Sequence, residues 1–371
     1  YLIKRQLEIQ KSQDEKIKSL KQAEQSKDDF LANVSHEIRT PIHAINGIST
    51  LLLRENLPQD VLEKVSNIQA EGQNLLAVVS DILDFSELQS GHIELVEEEY
   101  NITSMVNNIV NMTMAMNKEK NLEVIVDIDP NIPRGLVGDI GKLSRVIMNL
   151  VHNAIKFTNE GGISIHFSYR KENYGINLMV EVRDTGIGIN EENREKLFEM
   201  FNQLDGKRNR QAGGIGLGLA ISKVMISKMG GFITVKSEEG QGTQIQFTIP
   251  QKVSNWKPIA KVKQPFNINA AIYVNMNKFS VMEIRDEYNK LFHKVIQDLD
   301  VPGIVCSNLK ELKRHVEREY LTHLLISSYE YKEDTQFFDE LSKQMKLLVV
   351  CDPNEDVHLE NNNLHITYKP F

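Results

Sequence analysis

The stretch His36–Ile48, HEIRTPIHAINGI, sets a histidine, a glutamate and a mid-helix proline almost side by side. Around it Phe30, Val34, Ile38, Ile42, Ile45, Ile48 and Leu52 recur every three or four positions, the period of a helix with one apolar stripe. His36 lies two positions from both Val34 and Ile38, about 200° around the helix, so it faces away from that stripe. Pro41 has no N–H for the carbonyl of residue 37 and should bend the helix beside the His36–Glu37 pair.

Working outward, Asn56 and Pro58 end this helix. A second periodic segment follows through Val61, Val65, Ile68, Leu75, Val79, Ile82 and Phe85, closed by Gly91. Two long helices and a short turn make an antiparallel hairpin. One hairpin leaves its stripe half covered, whereas two form a four-helix bundle, so a homodimer is expected. Residues 1–29 are rich in Lys, Gln and Glu with scattered apolar points, a stretch that cannot bury itself and is either frayed or half of a coiled coil.

Beyond residue 92 the pattern changes. LEVIVDI and INLMVEVRD are strand-like, and helical stretches lie near Thr103–Glu119, Ile140–Phe157 and Leu217–Met229, which suggests an α/β sandwich over 93–251. Residues 252–266, which carry prolines and no periodicity, read as a linker. Over 267–371, AAIYVNM, GIVCS, HLLISS, KLLVVC and HITY are five short strands alternating with helices, a doubly wound parallel sheet. The fold class is therefore multidomain.

The 371 residues carry a net charge of −8, which disfavours a nucleic-acid surface. The two cysteines, Cys306 and Cys351, lack metal-ligand spacing and suit a reducing cytoplasmic compartment. There is no signal peptide and no apolar run near the ~18 residues a bilayer crossing needs, so any membrane attachment is expected through a segment preceding residue 1.

Four stretches of the middle region carry chemistry. NLVHNAIKF puts Asn149, Asn153 and Lys156 on one helix face, with amides for a metal and an ammonium for phosphate. VRDTGIGI ends a strand with Asp184, able to accept from an exocyclic amine, and Gly186 and Gly188 let a flat ring approach the backbone. GGIGLGLAI places Gly214, Gly216 and Gly218 at a helix start, where bare amides suit phosphates. GQGTQIQF returns as a hairpin with Thr243. No P-loop motif is present, and Leu219 stands where a dinucleotide fingerprint needs a third glycine.

Taken together, the His36 segment, the Asn149–Lys156 segment, DTGIG and GGIGLGLAI resemble the H, N and two glycine boxes of sensor histidine kinases of the hybrid type, in that family's order. DILDFSELQSGHIEL resembles the family's passage from the second bundle helix into the nucleotide domain. The resemblance implies a signalling helix (1–29), a dimerisation and histidine-phosphotransfer bundle (30–92) and a Bergerat-type ATP-binding domain (93–251). It implies that His36 is the phosphoacceptor and Glu37 its base, and that Thr40 orients water during dephosphorylation of a partner. ATP and Mg2+ are the implied cofactors. Asn153 would coordinate the metal, with Asn149 and Lys156 near the phosphates, and Asp184 would read adenine. Phe198 and Phe201 would belong to a lid.

An imidazole is nucleophilic when neutral, and its reference pKa of ~6.5 keeps it largely so in the cytoplasm. Two departures, Ile215 in the second glycine box and His152 between the asparagines, touch neither the metal nor the adenine assignment.

The last 105 or so positions resemble a response-regulator receiver that has lost its carboxylates. Asn275 and Asn277 follow the first strand, Ser327 and Ser328 end the third, Cys351 ends the fourth, and only Lys369 fits the family's pattern. Glu330 and Asp352 are the alternative carboxylates. The expected function is autophosphorylation of His36 and relay to an aspartate of a response regulator or downstream receiver. The alternative is a regulatory scaffold or net phosphatase.

Overall fold

A computed structural model describes residues 34, 37–55, 57–89, 94–200, 216–352 and 364–369. By contacts the chain falls into two compact units, 1–94 with 196–228 and 95–195 with 229–371. Residues 1–29, His36, Phe201 and Gly214 lie outside the described residues.

In the first unit, helix α1 (37–52) runs without interruption through Pro41. Helix α2 (Gln59–Gln89) follows the turn at Pro58. Ile42, Ser49, Val65, Val79 and Ser86 are buried. Gly72 of α2 sits against the Asn46 side chain, where a β-carbon would collide. Gln69 Nε2 donates to Thr50 Oγ1 at 2.7 Å, a second tie in the hairpin. Ile45, Ile48, Leu52, Ile68, Leu75 and Ile82 remain exposed, the last three at seven-residue intervals.

The second unit opens with β1 (Glu98–Asn101), α3 (Ile102–Asn117), β2 (Glu123–Ile128), β3 (Pro133–Gly138) and α4 (Ile140–Phe157). Strands β4 (Gly162–Glu172) and β5 (Gly175–Asp184) and the short helix α5 (Glu191–Glu195) follow. Helix α6 (Gly218–Lys228) belongs to the first unit, and β6 (Phe232–Ser237) and β7 (Thr243–Pro258) to the second. The strand order is β1-β3-β7-β5-β4-β2, with β6 paired to β7.

Helices α3 and α4 cover one face. Asn101 caps α3 through the N–H groups of Thr103 and Ser104. Leu143, Val146, Ile147, Leu150, Val151, Ala154 and Ile155 form the buried stripe of α4 over Ile163, Ile165, Phe167, Leu178, Val180 and Phe247. Thirteen apolar side chains of this kind are enough to hold the layer.

The reading of 252–266 as linker needs correction at its start. Strand β7 continues to Pro258 and pairs with β3, Val137 opposite Lys252 and Leu136 opposite Val253. This extension is polar, half exposed and interrupted by register shifts, so it lacks the apolar alternation by which a strand is read.

The C-terminal part consists of β8 (Ala270–Tyr273), α7 (Met282–Asp298), β9 (Gly303–Cys306), α8 (Leu309–Arg318) and β10 (His323–Ser327). Then come α9 (Ser328–Glu333), α10 (Thr335–Ser342), β11 (Lys346–Cys351) and β12 (Leu364–Tyr368). All five strands are parallel, in the order β12-β11-β10-β8-β9. Counted within this sheet the order is 2-1-3-4-5, that of flavodoxin-like doubly wound folds.

The two sheets share a core. Ile125 of β2 is buried in one apolar cluster with Ile272, Val274, Phe279, Ile284, Tyr288 and Phe292 of the parallel part. Residues 123, 125 and 127 of β2 and 162, 164 and 166 of β4 alternate onto the sheet face opposite α3 and α4, where α7 lies.

Candidate functional site

Helix α4 is pinned at both ends. At its start Asp139 Oδ1 accepts the N–H of Lys142 at 2.9 Å, and Oδ2 accepts the N–H of Val96 at 3.1 Å and pairs with Lys142 Nζ at 3.0 Å. Burial would raise this carboxyl's pKa, yet the donors win and hold it below the ordinary value.

At its end Lys120 Nζ donates to the carbonyls of Ile155, Lys156 and Thr158 at 2.7, 2.8 and 2.9 Å. These are the carbonyls a helix terminus leaves unsatisfied. Nothing in the sequence marked Lys120 for this task. Between the two ends, Asn149, Asn153 and Lys156 stand half-buried on successive turns of one face. Burial lowers the Lys156 pKa, and its Nζ lies 5.0 Å from the Phe157 ring centre.

The C-terminus of α4 meets the end of β5. Ile187 N–H donates to Phe157 O at 3.2 Å. Asp184 is buried, and its Oδ1 accepts the N–H of Gly186 at 2.8 Å and of Thr243 at 3.3 Å. Burial lifts its pKa to about 6, against the pull of those two N–H groups and of Arg183. Both donors converge on Oδ1, which leaves Oδ2 for an incoming group.

The glycines have a nearer reason than a flat ring. A β-carbon at Gly186 would run into the Phe157 carbonyl, and one at Gly188, which has φ +65°, into the Glu238 carbonyl. Gly242, at φ +82°, lies the same way against Asp184 O. The chain's own backbone demands these glycines, and in doing so draws the β5 end, the α4 end and the β6–β7 turn into one knot.

Ser237 ties that knot. Its hydroxyl accepts from Ile189 N–H at 2.8 Å, donates to Gly242 O at 2.9 Å and lies 2.9 Å from Thr243 Oγ1. Thr185 adds a second tie, donating to Glu160 O at 3.0 Å and accepting from Gly162 N–H at 3.0 Å. Both were invisible to a reading that looked for glycines and carboxylates, since a serine in KSEEG and the threonine of DTG are ordinary turn residues.

Asp184, Gly186, Gly188 and Thr243 are thus brought together beyond the end of the helix that carries Asn149, Asn153 and Lys156. In the other unit Glu37 and Thr40 are exposed on α1. Phe198 lies with Lys223 Nζ 5.3 Å over its ring, while Gly216, at φ +75°, and Gly218 precede and begin α6.

At the C-terminal edge of the parallel sheet the residues form a closed set. Glu330 has no exposure, and its Oε1 accepts from Lys278 Nζ at 2.8 Å and Asn275 N–H at 2.9 Å. Its Oε2 accepts from Ser327 N–H at 3.2 Å and from the Ser327 hydroxyl. Asn275 Nδ2 donates to Glu333 at 2.9 Å. Ser328 and Cys351 are buried, whereas Asn277 faces outward beyond β8. Lys369 turns elsewhere, 3.4 Å from both Glu123 and Asp352.

Among the described residues no cluster of three His, Cys, Asp or Glu side chains could hold a metal, and no helix is long and apolar enough to cross a membrane.

Comparison with known proteins fits this geometry. Residues 26–91 match the His Kinase A (phospho-acceptor) domain, and residues 138–253 match the histidine kinase-, DNA gyrase B-, and HSP90-like ATPase. The signal transduction histidine-protein kinase BarA of Escherichia coli (strain K12) is 37% identical over 246 residues, which are 66% of this chain and 27% of BarA. Hybrid signal transduction histidine kinase B of Dictyostelium discoideum is 32% identical over 330 residues, 89% of this chain and 16% of that protein. Sensor protein GacS of Pseudomonas syringae pv. syringae is 33% identical over 302 residues, 81% of this chain and 32% of GacS. The chain therefore spans less than a third of these relatives. The crystal structure of full-length ShkA in complex with AMPPNP has a similar fold, with a TM-score of 0.62 at 23% identity over 88% of this chain and 64% of that one. A phospho-acceptor helical domain followed by an α/β ATPase sandwich, with hybrid kinases as relatives, makes this chain a member of the sensor histidine kinases.

Proposed function

We propose that the chain transfers the γ-phosphoryl group of ATP to His36 and relays it to an aspartate on a response regulator or downstream receiver. The observation that carries this is the Asp184 knot. A buried carboxylate with one oxygen held by two backbone N–H groups is preorganised to accept the adenine amine.

Asn149, Asn153 and Lys156 run from that knot along α4 and face the triphosphate. With no carboxylate cluster among the described residues, Mg2+ would be held by the Asn153 amide oxygen and by the nucleotide's own oxygens, an arrangement that suits this small, hard cation. The metal supplies charge neutralisation for the leaving diphosphate. By the family resemblance Phe198 and Phe201 would serve as lid residues, and Gly214, Gly216, Gly218 and Thr243 as nucleotide-binding residues. Glu37 accepts the N–H proton of the ring nitrogen of His36 that does not attack, as the N–P bond forms at the other nitrogen and the bond from the γ-phosphorus to the bridging oxygen breaks.

The uncovered stripe of Ile45, Ile48, Leu52, Ile68, Leu75 and Ile82 takes a second copy, giving a dimeric four-helix bundle. The domains run as 1–29, 30–92, 93–258 and 267–371, with the last receiver-like. Its 2-1-3-4-5 order supports that assignment, and Asn275 and Ser327 at the ends of β8 and β10 replace the carboxylates a phosphoacceptor site needs. Glu330 is sealed beneath Lys278, so this domain serves docking and control. Lys369 is a remnant, redirected to Glu123. The cytoplasm is the compartment that suits its two free thiols.

Thr40 is exposed one turn beyond His36, the place from which a hydroxyl can orient water for dephosphorylation of a partner. A net phosphatase or scaffold is the second reading. Incubation with γ-labelled ATP decides: an acid-labile, alkali-stable label supports the kinase, and failure to label with intact nucleotide binding supports the scaffold.

A further inference from the structure

We infer that α7 of the C-terminal parallel sheet is a latch on the ATPase sheet that holds the adenine wall at Thr185–Asp184 in its binding geometry. This inference rests on the reading of Asp184 given above.

The seam is continuous. Glu287 of α7 accepts from Arg183 of β5 at 2.8 Å, from Lys290 at 3.2 Å and from His166 Nε2 of β4 at 3.2 Å. The other ring nitrogen of His166 donates to Asp127 of β2 at 3.2 Å, and Asp127 also takes Lys294 of α7 at 2.6 Å. Tyr288 OH donates to Glu123 Oε2 at 2.7 Å, and Lys369 approaches the same oxygen at 3.4 Å. Beneath these pairs lies the shared apolar cluster of Ile125 and Ile284. A face this charged on a central sheet would ordinarily be wetted. Here carboxylates 8–10% exposed are matched one by one with cations, which fixes register as well as position.

The seam ends at the nucleotide wall. Ile284 Cδ1 lies within 2.8 Å of the place a β-carbon would take on Gly162, and Val281 Cγ2 within 3.3 Å of the same place on Gly161. Gly161 O accepts from Glu123 N–H at 2.9 Å. Gly162 donates to the Thr185 hydroxyl at 3.0 Å and accepts from Thr185 N–H at 3.1 Å. Thr185 stands between Asp184 and Gly186, whose N–H orients the Asp184 carboxylate. Lifting α7 removes the packing from the turn that fixes Thr185, and the carboxylate loses its setting.

The test uses the whole chain with Mg2+ and a fluorescent ATP analogue, reading both affinity and amide-exchange protection. Lys294→Asp should weaken binding at least about fivefold and raise exchange over Gly161–Thr185. Lys294→Arg, which keeps a cation against Asp127, should leave both at the parent value. Asp184→Asn is the control and should also lose affinity. Unchanged affinity in Lys294→Asp, whether or not exchange rises, overturns the latch while leaving Asp184 its role. Unchanged affinity in Asp184→Asn overturns the adenine reading, and the latch with it.

Discussion

His166 on β4 and Glu287 on α7 meet at 3.2 Å, joining an ATPase sheet to a parallel sheet through a histidine held on its other side by Asp127. Burial alone would lower the imidazole's pKa, but the two carboxylates raise it to about 9, and the same contact draws Glu287 down to about 2.

That pair sets a pH dependence of stability. His166 is raised above its unfolded value, so its contribution is full below about 6.5 and lost as pH climbs through 9. Glu287 is depressed, so its contribution is present above about 4.5 and lost as pH falls toward 2. The seam is strongest between those limits; Arg183 and Lys290 also face Glu287, Lys294 faces Asp127, and Glu181 stands opposite His166 in register. Unfolding free energies from urea titration should fall from pH 6.5 to 9 by on the order of 3 kcal/mol relative to His166→Gln. Parallel curves for the two proteins would remove this link.

Nucleotide affinity carries a separate inflection. With the Asp184 carboxyl lifted to about 6, binding should strengthen as pH rises through 6 and level off above 7. Asp184→Asn should lose both the affinity and the inflection, read by titrating the fluorescent nucleotide from pH 5 to 8. An inflection that survives the substitution belongs to another group.

Lys120 offers a test of the helix end. Lys120→Met keeps the stem but leaves three carbonyls without their ammonium, which should cost about 1 kcal/mol of stability and weaken nucleotide binding. Arginine at this position should recover most of the stability. Thermal melts of the two variants make the comparison.

Lys278 and Glu330 test the closed edge of the parallel sheet. Lys278→Met leaves a carboxylate of zero exposure without its cation and should cost about 3 kcal/mol in urea unfolding. Adding Glu330→Gln should return part of that loss, because the buried charge goes while the amide oxygen still accepts one of the two N–H groups, of Asn275 or of Ser327. If both variants unfold like the parent, the pair contributes nothing to stability.

What could be read beforehand follows from local chemistry. Helix α4 announces itself by an apolar stripe from Leu143 to Ile155, and β5 and the five parallel strands by runs of branched residues. Strand β3, PRGLVG, is too short and too rich in glycine and proline to stand out, and the tail of β7 hides in polar residues. At the site, Asp184 and the asparagines are legible because their residue types are unusual where they stand. Lys120, Ser237 and Thr185 are not, because their work is to satisfy backbone groups that only the folded chain brings near. The seam is least legible of all, since His166 and Glu287 look like solvated residues until the two sheets meet.

The direct measurement of the central claim is transfer of label from γ-labelled ATP to the whole chain with and without His36→Gln. The account predicts labelling of the parent, none of His36→Gln, and equal nucleotide affinity in both. Label that persists in His36→Gln would contradict it.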